Sequence, residues 1–541
     1  MIRYIAILLL LPNACFAQDA VRMDEIAQSF ALNKEFMGSV LVARGDHILL
    51  SKGYGSADLE WNVPNTPSTK FRLGSITKQF TAASILLLEE RGKLKVDDPV
   101  KKYLPDAPAA WDKITIFNLL THTSGIPNFT SFPEYQSLEP FSKTPEQLVA
   151  LFRDKPLEFQ PGEKWNYSNS GYVLLGYLIE KVSGKSYEKF VQENIFTPLS
   201  MRDSGYDSNS AIIAQRAHGY APGAHGPVNA GYVDMSIPFA AGGLYSTTED
   251  LLRWEQGLFG GKLLSPASLE KMTTPFKDDY AFGLGVRTLS AHKVIQHAGG
   301  IEGFNTHLAF YPEDRLTVVV LSNVNGRAPE DIAGKLAAVA HGETVTLQSE
   351  RKEMSVPVPV LAKRVGTYQL QPGVDMLITL ERDHLMEKLG PQAAFPIFAE
   401  SENLFFMKVV DAQIEFGKDD SGTVSYLILH QNGLDQKAPR TSDKVESPPE
   451  RKEVKVSAKL LAEYEGTYQL RPGFDIVMTV EAGQLMSQAT GQSKFPLFAQ
   501  SDTKFFAKVV DAQIDFVRDD KGKVSQLILH QGGRDLPAPR Q

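Results

Sequence analysis

Cysteine is nearly absent: one residue, Cys15, in 541. A disulfide framework, a cysteine nucleophile and Cys-ligated zinc therefore have no ligands to draw on in the rest of the chain. No His-Glu-x-x-His string occurs, which removes the signature of a helical zinc-protease site, and neither metal nor cofactor is expected. Positive charge is not in excess. The formal net charge is -8 and no basic stripe interleaves with aromatics, so no nucleic-acid partner is expected. Long apolar runs are missing too: the stretches near Leu86 and Val318 are soon broken by charge. A bilayer needs about 20 apolar residues in succession, so no membrane span is expected.

One short apolar run stands at the N-terminus. Arg3 precedes the run 5–11, and Cys15-Phe16-Ala17 places small residues at the two cleavage-determining positions. This pattern predicts a secretory signal over residues 1–17, cut after Ala17, and hence a periplasmic or secreted protein without a thiol. Pro12-Asn13-Ala14 is a poor lead-in for a lipid on Cys15, so anchoring there is not expected.

The chain is too long for a single hydrophobic core, which predicts two to four domains. Its last third is duplicated with an unbroken register of 100 residues. Gly366-Thr-Tyr-Gln-Leu370 recurs as Gly466-Thr-Tyr-Gln-Leu470, Phe405-Phe406 as Phe505-Phe506, and Leu427-Ile-Leu-His430 as Leu527-Ile-Leu-His530. Alternating runs such as Met376-Leu-Ile-Thr-Leu380, with turn strings Asp419-Asp-Ser-Gly422 and Asp519-Asp-Lys-Gly522, predict antiparallel strands and hairpins. Each unit is expected to close as a small barrel, because closure removes unpaired edges. The expected organisation is a first domain over 18–346, a Val-Pro-rich linker over 347–360, a β unit over 361–440, a polar linker over 441–457 and a second β unit over 458–541.

The first domain reads as α+β. Strands are expected at 38–43, 47–50, 307–310 and 316–321, and helices at 78–91, 115–120 and 172–182. A further helix should open at Ser246-Thr-Thr-Glu249 with a capping box. Strands at both ends with helices between predict one antiparallel sheet built from the domain's two termini and packed on a helical region.

Three strings carry chemistry. Ser75-Ile-Thr-Lys78 is a Ser-x-x-Lys, a spacing that also occurs at Ser186, Ser268, Ser349 and Ser501. Only at Ser75 does a glycine precede and a strongly apolar helix follow. That setting puts the serine in the field of a helix N-terminus and Lys78 beside it, on the same face and stripped of water. The plainer reading is a capping serine with a solvated lysine. Tyr167-Ser-Asn169 follows Pro161-Gly162 in a turn-rich loop ahead of an apolar helix. A tyrosine near a cationic lysine is expected to have a lowered pKa and to shuttle a proton, and Asn169 can donate and accept. The plainer reading is capping and packing. His297-Ala-Gly-Gly300 precedes expected strands, where Gly299 and Gly300 let a ligand approach a free edge N–H. His530-Gln-Gly532 shows how easily that pattern recurs. His122-Thr-Ser-Gly125, Phe239-Ala-Ala-Gly-Gly243 and His307 read as structural.

The ordered set resembles the penicillin-recognising serine hydrolases, a superfamily of class C β-lactamases, D,D-peptidases, D-aminopeptidases and related esterases. The strings at 114–125, 159–169 and 240–251 strengthen the likeness, which covers about residues 30–325. It implies a β-lactamase/transpeptidase-like domain with Ser75 as nucleophile and Lys78 and Tyr167 sharing acid/base work. Asn169 and His297 would orient a small-molecule or peptide substrate, and the N–H groups of Ser75 and Gly300 would bind the oxyanion. Many relatives carry lysine where this chain has His297. A mostly neutral histidine is a weaker carboxylate anchor, which favours D-aminopeptidase or D-peptidase chemistry. A carboxylesterase, a weak β-lactamase and a non-hydrolytic sensor are the alternatives. The two tail units look like the three-domain plan of D-aminopeptidases or like lipocalin-type units, and self-association is one role they imply.

Overall fold

The computed structural model describes residues 11–223, 226–390, 394–431, 434–445, 453–471, 474–481, 483–489, 494–507, 512–519, 521–531 and 534–541. The chain divides into two compact units, meeting between Val345 and Thr346.

The first unit is organised by a six-stranded antiparallel sheet: β1 (Gly38–Arg44), β2 (His47–Tyr54), β3 (Gly285–Leu289), β4 (His292–Ile301), β5 (Phe304–Tyr311) and β6 (Leu316–Ser322). The order is β3-β4-β5-β6-β1-β2. As the sequence suggests, the domain's two ends meet, with β1 paired to β6 from Gly38↔Ser322 to Arg44↔Leu316. Every residue of β6 is buried, which explains its unbroken run Leu-Thr-Val-Val-Val-Leu: a central strand covered on both faces has no polar alternation.

Helix α1 (Leu11–Leu32) begins inside the expected leader and continues through Ala17. Met23, Ile26 and Ala27 on it are fully buried, while residues 1–10 lie outside the described residues. Helix α2 (Thr77–Glu90) is buried from Thr77 to Leu88, so it runs through the core and does not lie on the surface. Against it pack α4 (Asn169–Ser183), itself flanked by α3 (Ile116–Leu120), and α5 (Thr248–Phe259), whose Trp254 meets Phe80 and Gln79, while α6 (Ala328–Ala340) lies against α1, β5 and β6. Helix α3 opens with a Thr115–Asn118 capping box. The cap of α5 falls one residue later than the sequence pattern suggests: Thr247 accepts from the Asp250 N–H. Ser246 belongs instead to a short buried strand and hydrogen-bonds Ser204.

The second unit holds two eight-stranded antiparallel meanders in sequential order. The first is a closed barrel, its first strand Gly366–Gln371 pairing with its last, Leu434–Ser442. The second nearly closes, through a Tyr468↔Arg540 bridge and a Gln541 N–H to Thr467 O bond of 2.9 Å. Tyr368 and Tyr468 are both fully buried, and each donates its hydroxyl to the carbonyl four residues upstream. Asp419 to Gly422 reverses the chain as expected, with Gly422 at φ +81; Asp520 of the second copy lies outside the described residues. The segments read as linkers are partly folded onto the barrels. Met354 N–H bonds Ala399 O at 2.8 Å and Val454 N–H bonds Ala499 O at 2.9 Å. Val-Pro alternation favours extended backbone, and extended backbone can pair with a strand.

Candidate active site

The site begins with a steric demand. Between the short strand Phe71–Arg72 and α2 the chain crosses the edge of β4 so closely that side chains have no room. Gly74 has φ +54, and a Cβ there would lie 2.8 Å from Gly300 N. A Cβ on Gly299 would fall well inside van der Waals contact of Leu73 O and Thr306 Oγ1. Strand β3 pairs with β4 only as far as Gly285↔Gln296, so the edge of β4 beyond Gln296 is left to the Ser75 turn. His297-Ala-Gly-Gly300 precedes β5 and β6 as expected, and itself lies within β4, a strand the sequence reading did not place. That strand runs on for ten residues, right up to its hairpin.

Ser75 sits in a single 3-10 turn, Gly74–Ile76, that runs straight into α2. Lys78, one turn on, is completely buried. Its Nζ lies 2.9 Å from Ser75 Oγ, 2.9 Å from Asn169 Oδ1 and 2.8 Å from Ala241 O. Burial drives the Lys78 pKa well below its ordinary value, and no carboxylate opposes the shift. Two of the three partners are carbonyl oxygens, which only accept. A neutral amine donates its two N–H groups to them and turns its lone pair to the one partner able to donate, the Ser75 hydroxyl. That is the geometry of a general base facing its nucleophile.

Tyr167 borders the same pocket. Lys78 Nζ lies 4.8 Å from its ring centroid, and the hydroxyl interacts with Ser75. The expected lowering of its pKa is not found. The ring is partly exposed along the cleft, but the hydroxyl end is enclosed, and desolvation pushes Tyr167 above its ordinary value, only partly offset by Ser75. The reason is that burial costs the phenolate more than its one hydrogen bond with Ser75 returns. Asn169 starts α4, and its amide is engaged at both ends: Oδ1 accepts from Lys78 while one Nδ2–H donates to Thr130 Oγ1 at 3.1 Å.

The loop carrying Tyr167 is cast against His122-Thr-Ser-Gly125. Asn166 N–H bonds His122 O, Gly162 N–H bonds Thr123 O and Glu158 N–H bonds Gly125 O. His122 holds φ +56, a strained value for a non-glycine residue. Its buried ring lies 4.3 Å from the Tyr167 ring, and its Nδ1 accepts from Ser168 N–H at 3.1 Å. Tyr280 joins this group, its hydroxyl 3.1 Å from both His122 Nε2 and His297 Nε2. Burial and the Lys78 charge, when present, hold both histidines below their ordinary pKa.

The structure thus brings Ser75, Lys78, Tyr167, Asn169, His297, Gly299 and Gly300 together. His307 is buried in β5, and His530 lies on a strand of the second barrel. Sequence reasoning missed Tyr280 and Thr130, which sit in turn-rich segments with no motif. It took Ala241 for packing alone, because a backbone carbonyl leaves no trace in residue type.

A half-exposed serine beside a buried lysine, under a β-edge amide and on a terminal-strand sheet with a helical insert, defines a penicillin-recognising serine hydrolase. Residues 32–343 match the Beta-lactamase family model, and the chain belongs to that family. Residues 350–441 and 450–538 each match a domain of unknown function, DUF3471. The chain is 30% identical over 448 residues to a penicillin-binding protein of Bacillus subtilis (strain 168), covering 77% of this chain and 98% of that one. It is 30% identical over 304 residues to a teichoic acid D-alanine hydrolase of Staphylococcus aureus (strain MRSA252), covering 54% of this chain and 72% of that one. Among solved structures, a D-stereospecific amidohydrolase from Streptomyces sp. superposes with a TM-score of 0.50 at 29% identity, covering 61% of this chain and 98% of that one. Among the described residues no helix is long and apolar enough to cross a membrane.

Proposed function

We propose that this protein is an exported D-aminopeptidase or D-peptidase-type amidase that works through an acyl-enzyme on Ser75. The observation that carries the reading is the pinning of the buried Lys78 amine by Asn169 Oδ1 and Ala241 O, which leaves its lone pair for Ser75. Lys78 takes the Ser75 proton as Oγ attacks the substrate carbonyl. The N–H groups of Ser75 and Gly300 receive the oxyanion. Tyr167, kept protonated by burial, gives its proton to the leaving amine and is refilled from the Lys78 ammonium. Water then enters against the ester carbon and the same groups run in reverse. The names of the Staphylococcus and Streptomyces relatives support a D-configured acyl group. The N-terminal leader pattern supports export.

The test is a turnover screen over matched D- and L-amino-acid amides, with intact-mass detection of an adduct. Turnover preferring D-amides, with an acyl adduct on the wild type and none on Ser75→Ala, is the expected result. Full turnover by Ser75→Ala refutes the acyl-enzyme. A preference for L-amides or for esters refutes the substrate class. N-terminal sequencing of the secreted protein, expected to begin at Gln18, tests export.

A further inference from the structure

The hydroxyl of Tyr280 is clamped between two imidazoles, and the backbone fixes the direction of every proton in the series. His122 Nδ1 receives the Ser168 N–H at 3.1 Å, so it carries no proton. The ring's proton is therefore on Nε2, which donates to Tyr280 Oη at 3.1 Å. At the far end His297 Nδ1 lies 2.6 Å from its neighbour's carbonyl, Ala298 O, which can only accept. His297 Nδ1 thus carries the proton, and its bare Nε2 takes the Tyr280 O–H at 3.1 Å. With both rings neutral, a backbone donor at one end and a backbone acceptor at the other leave His297 Nε2 bare and facing the Tyr280 hydroxyl.

We infer that Tyr280, held by His122, is a positioning residue that locks His297 as the neutral Nδ1–H tautomer and so denies the cleft a cation for a substrate carboxylate. The inference rests on the amidase reading above and narrows its substrate class: acyl donors whose group beside His297 is an amide, an ester or an amine, not a free carboxylate. A protonated His297 would aim a second N–H at the oxygen that already accepts from His122. Tyr280 would then have to surrender its bond to the ring and turn toward Tyr172, the other hydroxyl beside it. The remaining groups facing His297 are Lys78 and His307, both of which oppose a positive charge there, and the Tyr167 ring at 6.3 Å. No carboxylate acts on it. With both ring nitrogens committed, His297 has no free N–H for an anion.

Tyr280→Phe removes only the hydroxyl. The readout is the ratio of kcat/KM for two acyl probes that share a leaving group, one ending in a carboxamide and one in a free carboxylate, from pH 5 to 8. In the wild type the ratio should be large and flat. In Tyr280→Phe it should fall at least tenfold below pH 6, where water in place of the hydroxyl eases the burial of the imidazole and lets Nε2 take a proton, and recover toward pH 8. Equal losses on both probes at every pH would mean that Tyr280 is merely structural, and would overturn the inference. A second readout needs no turnover. In protein labelled with [15N]histidine, with the His297 signal assigned through His297→Asn, the wild type should show Nδ1–H and no titration above pH 5. A wild-type His297 that carries its proton on Nε2, or titrates near 6.5, overturns the lock whatever the enzyme hydrolyses. A lock seen by 15N in a protein that turns over neither probe would refute the amidase reading instead.

Discussion

Glu255 on α5 is 3% exposed, and its Oε2 has no hydrogen-bond partner. Burial alone raises its pKa from 4.5 to about 8, so at neutral pH the folded protein holds this carboxyl protonated. The sign follows directly. The folded state binds the proton more tightly than the unfolded chain, so the contribution is complete below pH 4.5 and is lost as pH rises toward 8. Roughly three and a half pH units at about 1.4 kcal/mol each put the span near 5 kcal/mol, a large share of what a domain has to lose. Glu255→Gln keeps the shape and removes the ionisation. All four tryptophans, Trp61, Trp111, Trp165 and Trp254, lie in the first unit, so fluorescence-detected urea unfolding reports on that unit alone. Midpoints measured from pH 5 to 9 should fall steeply for the wild type and stay nearly level for Glu255→Gln. The two curves should cross, with the variant the less stable at pH 5 and the more stable at pH 9. Parallel curves would show that Glu255 is ionised in the folded state and that the desolvation argument is wrong.

Lys78→Met should lower kcat/KM by about 100- to 10,000-fold, the usual worth of a general base, while raising the first unit's thermal midpoint at pH 6, because it removes an amine that folding must discharge. The wild-type kcat/KM should rise with pH along an acidic limb set by Lys78, and Lys78→Arg, which cannot lose its proton, should be inactive throughout. Asn169→Asp puts a carboxylate where Oδ1 now lies 2.9 Å from the amine; it should restore the ammonium and move the acidic limb to higher pH, and an unmoved limb would refute the role given to neutral partners. Gly299→Ala should destabilise the first unit by about 3 kcal/mol through overpacking and abolish turnover. Gly300→Ala, whose Cβ meets only the Asn305 amide at 3.3 Å, should fold normally; calorimetry and kcat/KM separate the two.

What was legible in the sequence was local or periodic. The Ser75 string announces itself through Gly74 and the apolar helix behind it, and the repeat through its constant register of 100 residues. The two-ended sheet could be read because strand patterns stand at both ends of the domain with helical patterns between them. What escaped was built by contacts remote in sequence. Tyr280 reaches His122 across 158 residues and His297 across 17, from a turn with no pattern of its own. The Lys78 partner at Ala241 is a backbone oxygen brought 163 residues by folding. The direction of the Tyr167 shift was misjudged for a related reason. It depended on how completely the fold encloses the hydroxyl, which residue types alone do not show.

These misreadings share one cause, and it says how the site is tuned. The partners that touch Lys78 and His297 are hydroxyls, amides and carbonyls, with no carboxylate among the hydrogen bonds of either. In a site with paired charges, each pKa is set by its nearest opposite and is read from residue types. Here desolvation leads every shift, for Lys78, Tyr167, His122, Tyr280 and His297 alike, and it acts in opposite directions on acids and bases. It favours the uncharged amine and holds the phenol protonated, so one dry pocket favours a proton acceptor and a proton donor beside the same serine. Such a pair is robust to salt, since there is no ion pair to screen, but it is fragile to water. Any substitution that opens the pocket should recharge the lysine and loosen the phenol together, and the acid and base limbs of the pH profile should then move as one.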